Sequence, residues 1–240
     1  DATGLRDIND IDLVVGVTRI GKDGKNKEVE MIRSQLGYTG KIHTISHHTA
    51  HAASAFYPSP FEEATVMVVD GLGSNANDLD ATETPPFIMR TIDGKIQKKM
   101  EEVQSFYRAM DGRLFSIRKD YSMPGYRNGI GLLYMGTSVF LGMGDFGSGK
   151  VMGLAPYGYN TDRKFKKDFY ELSDGTALIP SEKNFVRYND YFQRCFYPDI
   201  PRRNKEKLPD EIYTQIAYEV QDAIEEALIA VANHLYKISP

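Results

Sequence analysis

Three of the chain's five histidines fall within five positions, in the run Ser46-His47-His48-Thr49-Ala50-His51. Residues four apart share one face of a helix, so His47 and His51 have the spacing with which two imidazoles hold a single metal ion. His48 and His51, three apart, form the second choice. Ser46 suits the cap position just before such a helix. The small residues that follow, Ala52, Ala53 and Ser54, would let another backbone or a ligand approach closely. The competing reading makes all three histidines cap and packing residues; a set at ligand spacing favours metal binding.

A second group of candidates lies at Asp70-Gly71-Leu72-Gly73. Gly71 and Gly73 leave room for backbone amides to approach phosphate oxygens. Asp70 has the chemistry to orient a ribose, a water or an attacking hydroxyl; its plainer role is a turn-forming aspartate at a strand end. Lys150 stands in Gly149-Lys150-Val151-Met152-Gly153, where it is either a phosphate or carboxylate contact or an ordinary surface lysine. Two motifs nearby fail on context. Gly142-Met143-Gly144-Asp145-Phe146-Gly147 fits G-x-G-x-x-G, but a helix-like run precedes it where the dinucleotide fold needs a strand. Gly144 to Val151 fits a phosphate loop except that Val151 stands where a magnesium-binding Ser or Thr belongs. Asp78-x-Asp80 has two possible metal ligands in a polar loop and reads as solvated.

These residues need elements to carry them. Ile11 to Val17 is an apolar run of buried-strand length, and Lys41 to Ser46 is a second strand feeding the histidine helix, which should stop near Pro58 or Pro60. Ala64 to Val69 is a β-branched third strand ending at Asp70. Asp93-Gly94 reads as a hairpin turn between Phe87–Ile92 and Lys95–Val103. Asn128 to Met143 is apolar and glycine-dotted, which suggests a buried helix. Residues 170–209, rich in charge, Pro and Tyr, read as an irregular surface insertion. From 210 to 238 a long amphipathic helix carries Ile212, Ile216, Val220, Ile224, Leu228, Val231 and Leu235 at intervals of three or four. That stripe has to be buried, and the strands of the first third are its expected partner. The alternation of strands and helices makes the fold class α/β, with some antiparallel strands.

Composition narrows the setting. At 240 residues the chain fits one large domain or two small ones. A net charge of -4 argues against a general nucleic-acid binder. Cys195 is the one cysteine, so no internal disulfide framework exists and a cytoplasmic location is expected. No apolar run approaches the ~18 residues of a membrane span, and no signal peptide is visible.

Read in order, His47-His48-Thr49-Ala50-His51-Ala52-Ala53-Ser54-Ala55-Phe56-Tyr57-Pro58-Ser59, Val68-Val69-Asp70-Gly71-Leu72-Gly73 and Gly149-Lys150-Val151-Met152-Gly153-Leu154-Ala155-Pro156-Tyr157-Gly158 resemble the O-carbamoyltransferases of nodulation-factor and antibiotic biosynthesis. Gly131-Leu132-Leu133-Tyr134, with Thr137 and Leu141-Gly142, matches a further stretch of that family, and the resemblance runs from about Ile11 to the end of the chain. It implies an actin/heat-shock-protein ATPase-like, ribonuclease-H-like mixed sheet with flanking helices, similar to the tRNA threonylcarbamoyl-transfer protein and incomplete here. It also implies that His47 and His51 are paired ligands of a divalent metal, iron or zinc. Asp70 with Gly71 and Gly73 would line the nucleotide, and Lys150 with Gly149 and Gly153 would approach the same cleft. The implied reaction makes carbamoyl-adenylate from carbamoyl phosphate and ATP, then passes the carbamoyl group to the hydroxyl of a small-molecule acceptor.

The family pattern includes more chain than this: an upstream strand with a phosphate loop, a second half of the actin-like domain supplying a further metal ligand, and a carbamoyl-adenylate-forming domain. The expectation is therefore a fragment, or truncated relative, that works with remaining domains. The family usually carries Glu after the Asp-Gly-x-Gly loop and before Gly-Lys-x-Met-Gly, where this chain has Ser74 and Ser148. Those two serines keep open a second reading, a non-catalytic module that binds a nucleotide or metal.

Overall fold

The fold is a computed structural model. It describes residues 4, 6–18, 23–79, 83, 100–122, 129–159, 169–173, 176–178, 192–204 and 211–239. The chain divides into two compact units, residues 1–68 with 72–121 and residues 69–71 with 122–240.

In the first unit, β1 (Leu13–Val17) and β2 (Lys41–Ile45) run parallel, in register from Leu13 opposite Lys41 to Val17 opposite Ile45. Helix α1 (Gly24–Leu36) makes the crossover between them, which a parallel pair requires. Gly16 on β1 permits its close approach: a Cβ there would come within 2.9 Å of Glu28 and 3.0 Å of Ile32. Gly37, at φ 66°, ends the helix in the left-handed conformation that glycine adopts without strain. Fully buried Tyr38 donates its hydroxyl toward the carbonyls of Ile11 (3.0 Å) and Lys41 (3.1 Å), tying the loop to both strands. Helix α2 (His47–Phe56) follows directly, as expected from the serine cap and the downstream prolines.

A three-stranded sheet of order β3-β4-β5 joins Ala64–Val69, Glu101–Met110 and Arg113–Ser122. The turn between β4 and β5 is Asp111-Gly112, with φ 51° and 67°. Positive φ at both central residues gives the turn whose twist suits a two-residue hairpin. This Asp-Gly turn was not foreseen; the one anticipated at Asp93-Gly94 lies outside the described residues. Ala52 of α2 packs on Val68 and Tyr107 of the sheet, with Val66 and Leu114 beside them.

The second unit is mainly helical. Helix α3 (Ile130–Phe140) buries Ile130, Leu132, Leu133 and Phe140, in line with its apolar sequence. Helix α4 (Ser148–Leu154) runs into a 3-10 turn at Ala155–Gly158, and the long helix α5 is Glu211–Ile238. Short antiparallel strands β6 (Glu171–Ser173) and β7 (Thr176–Leu178) form a small hairpin. The α5 stripe is buried at Ile216, Val220, Ile224, Val231 and Leu235. In its own unit it packs against α3, α4, the 3-10 turn and β7. At Gly158 a Cβ would fall 2.3 Å from the Thr214 carbonyl oxygen, so the turn and α5 touch backbone to backbone.

The expectation of a surface insertion over 170–209 fails for part of its described residues. Phe192, Tyr197 and Ile200 are buried, and the Phe192 and Tyr197 rings lie 6.0 and 5.7 Å from that of Phe140. Aromatic rings at such spacing anchor the segment onto α3, where charge and proline content suggested solvent. The fold class is mixed α/β, as the alternation of elements implied. Among the described residues, no helix is long and apolar enough to cross a membrane.

Candidate functional site

The first turn of α2 is held from several sides. Ser46 caps it, its hydroxyl accepting the Thr49 N–H at 3.2 Å and donating to the Thr49 hydroxyl at 2.8 Å. The His47 N–H, one of the donors a helix start leaves without an intrahelical partner, donates to Ser74 Oγ at 2.8 Å. His47 and His51 then rise on one face, with Nε2 atoms 3.1 Å apart, ring centroids 4.7 Å apart and planes at 81°. His47 is half-buried and His51 exposed.

That separation fits metal ligation. Two imidazole nitrogens each about 2.0–2.1 Å from a shared ion lie roughly 2.8 to 3.4 Å apart between octahedral and tetrahedral angles. One ring can equally donate to the other across the same gap. Between them, His47 and His51 thus offer two ligand atoms close enough to share an ion.

His48, the second-choice ligand, serves packing. Its ring is fully buried, with Nδ1 2.7 Å from Ser105 Oγ on β4. A helix turns 100° per residue, so a histidine next to a ligand-face histidine points elsewhere, here into the sheet. Asp78 is also structural: its carboxylate accepts the Gly24 N–H at 2.9 Å, at the start of α1. Its suggested companion Asp80 lies outside the described residues.

Asp70 immediately follows β3, and its carboxylate accepts the Gly71 N–H at 2.6 Å. The N–H groups of both loop glycines have acceptors within the chain. The Gly73 N–H donates to the Glu102 carbonyl at 2.7 Å, and a Cβ at 73 would meet the His48 ring at 2.8 Å. Both amides already have acceptors, and Gly73 is glycine because His48 fills the space. Within the second unit a Cβ on Gly131 would fall 2.2 Å from the Asp70 carbonyl oxygen, so the start of α3 lies directly against this loop. Gly149, Lys150 and Gly153 are exposed on α4, and a Cβ at either glycine would meet nothing within 4 Å. Their smoothness serves no contact among the described residues.

The sequence reading missed a buried polar cluster in the first unit. Lys119 on β5 and Glu102 on β4 form an ion pair, each side chain 0% exposed. Lys119 Nζ also donates to Tyr107 Oη at 2.8 Å, and Tyr107 Oη lies 3.2 Å from Thr49 Oγ1. The other Glu102 oxygen accepts the Ser74 N–H at 3.0 Å. Burial disfavours the Lys119 ammonium, but the Glu102 carboxylate and Tyr107 beside it outweigh that, and its pKa is raised. Burial also raises the Tyr107 pKa, against the opposing pull of Lys119. Ser74, in place of the glutamate that the family pattern has there, is fully buried and joins Glu102 to α2.

Comparison with known proteins bears on this geometry. The profile of the carbamoyltransferase N-terminus family matches residues 22–238. The chain belongs to that family. It is 28% identical over 200 residues to the nodulation protein NolNO of Sinorhizobium fredii, covering 83% of this chain and 24% of that protein. It is also 28% identical over 191 residues to the nodulation protein NolO of Bradyrhizobium diazoefficiens, covering 79% of this chain and 27% of the relative. A Synechocystis protein, sll1178, is 26% identical over 206 residues, covering 80% and 27%. The chain thus spans about a quarter of the length of the curated relatives it matches.

Proposed function

We propose that this chain supplies part of the active site of an ATP- and metal-dependent O-carbamoyltransferase, in which His47 and His51 hold a divalent ion, iron or zinc. Family membership supports the carbamoyl-transfer role. The observation that carries the metal reading is the pair of Nε2 atoms 3.1 Å apart on one capped helix. Imidazole suits both metals. Asp70 is our candidate for a further ligand or a substrate-orienting carboxylate. The family resemblance is what supports that role for Asp70, whose carboxylate accepts the Gly71 N–H. When bound, such an ion acts as a Lewis acid toward a carbonyl or phosphoryl oxygen. The chain's own contribution is to fix the two imidazoles on one face of α2.

The fold reading that goes with this is an actin-like, ribonuclease-H-like domain in part. We take carbamoyl phosphate and ATP as substrates, carbamoyl-adenylate as the intermediate and a small-molecule hydroxyl as acceptor, in the cytoplasm. Lys150, with Gly149 and Gly153, is assigned to contact the nucleotide or the remaining domains of the full-length protein. Their exposure favours a role met outside the chain's own packing.

Metal analysis tests the reading. The purified chain is expected to hold about one iron or zinc, lost in His47→Ala/His51→Ala and kept in His48→Ala. Equal metal content in the wild type and the double variant would refute the assignment. The alternative module reading is favoured by Ser74 and Ser148, which stand where the family usually carries glutamate; ADP binding by a metal-free chain is its expected result.

A further inference from the structure

We infer that the buried Glu102–Lys119 pair is a positioning device for the metal-binding face of α2, an inference that rests on the metal reading above. Two chains of hydrogen bonds leave the pair and both end in the first turn of the helix. In one, Glu102 accepts the Ser74 N–H at 3.0 Å and Ser74 Oγ accepts the His47 N–H at 2.8 Å. In the other, Lys119 donates to Tyr107 at 2.8 Å, Tyr107 meets the Thr49 hydroxyl at 3.2 Å, and Thr49 meets the Ser46 hydroxyl at 2.8 Å. The first arm grips the backbone of a ligand residue. The second grips the cap that sets where the helix begins.

The geometry makes this more than generic stabilisation. Ser74 is bonded to Glu102 twice, through the carboxylate and through the Glu102 N–H to the Ser74 carbonyl at 3.0 Å, and the adjacent Gly73 N–H adds a third bond to the Glu102 carbonyl. The acceptor for the His47 N–H is thereby fixed to β4, the strand on which Ser105 receives the His48 ring. Helix α2 is consequently fixed in translation by Ser74 and in rotation by His48, which aims His47 and His51 away from the sheet. A fully buried ion pair is an expensive way to add stability, because two charges lose their hydration. Fixing the orientation of ligands from the layer behind them is a role in which such hydrogen-bonded partners change metal affinity by about 10- to 100-fold. Side chains that act on His47 only through its backbone and its cap are positioning residues; they do not touch the ion.

The test uses Ser74→Ala, Tyr107→Phe and the double variant Glu102→Gln/Lys119→Met of the full chain, with Zn²⁺ titration for affinity and Co²⁺ absorption as a report on ligand geometry. Hydrogen exchange of the amides at 47–51 is followed alongside. The inference predicts Zn²⁺ binding weakened about 10-fold or more in Ser74→Ala and the double variant, with an altered Co²⁺ spectrum and exchange raised selectively at 47–51. Affinity within twofold of wild type in both, with an unchanged spectrum, overturns it. If the wild type binds neither ion, the metal reading fails on its own. The exchange data then decide the positioning claim: faster exchange confined to 47–51 upholds it, and a uniform change or none overturns it.

Discussion

Lys119 and Tyr107 make the chain's response to alkali a residue-scale question. Both pKa values are raised in the folded state, Lys119 by Glu102 and Tyr107 against burial, and Tyr107 by burial. The folded chain therefore holds protons that the unfolded chain releases above its ordinary lysine and tyrosine values. By linkage, the stabilisation is fully present below about pH 10 and falls as pH rises from there through the folded values. Tyr134, pushed up to about 12 mainly by burial, adds to the same slope. Its hydroxyl donates to Gln221 on α5. Chemical denaturation at pH 8 and at pH 11 is expected to show a marked loss of stability at the higher pH. The loss should be smaller in Glu102→Gln/Lys119→Met, which removes one of the titrating groups. A slope that is the same in both proteins would mean that the pair is not coupled to folding as its burial indicates.

At the scale of elements, the cap of α2 is the most exposed to a single substitution. Ser46→Ala removes the acceptor of the Thr49 N–H and the donor to the Thr49 hydroxyl, in a residue that is almost fully buried. A loss of about 1–2 kcal/mol is expected, measurable as a lower denaturation midpoint at unchanged slope. No measurable loss would show that Ser74 and Tyr107 hold the helix start without the cap. This helix was readable because cap, histidine spacing and terminating prolines are all local signals. Strand β3 was equally plain, since a β-branched run needs no partner to be recognised. The β4–β5 hairpin was not. Glu101-Glu102-Val103-Gln104-Ser105 is polar, and only pairing with β5 brings Glu102 to Lys119 and makes a buried charge tolerable. The contact between Gly73 and His48 was not legible for a related reason. Each is explained by the other, across 25 residues of chain, and neither carries a local mark of that contact.

For the molecule as a whole, the exposed apolar surface is informative. Parallel strands ordinarily have both faces covered. Yet α1 covers one face of β1 and β2, while on the other Leu13 and Val15 remain 43% and 51% exposed. In the second unit Phe146, Met152 and Tyr157 are exposed on and around α4, next to Gly149, Lys150 and Gly153. Among the residues that the family resemblance assigns to the nucleotide cleft, Gly149, Lys150 and Gly153 are thus the ones with open space beside them. The two histidines proposed as metal ligands, by contrast, stand on a helix held by contacts internal to the first unit. Metal binding and catalysis should therefore separate. The isolated chain is expected to bind Zn²⁺ through His47 and His51 but to give no carbamoylated product from carbamoyl phosphate, ATP and a panel of polyhydroxylated acceptors. A chain extended to the length of its relatives should recover turnover, and His51→Ala in that longer protein should abolish it. Product formation by the 240 residues alone would mean that the whole reaction centre is already present, and that Lys150 and its glycines need no further domain to work.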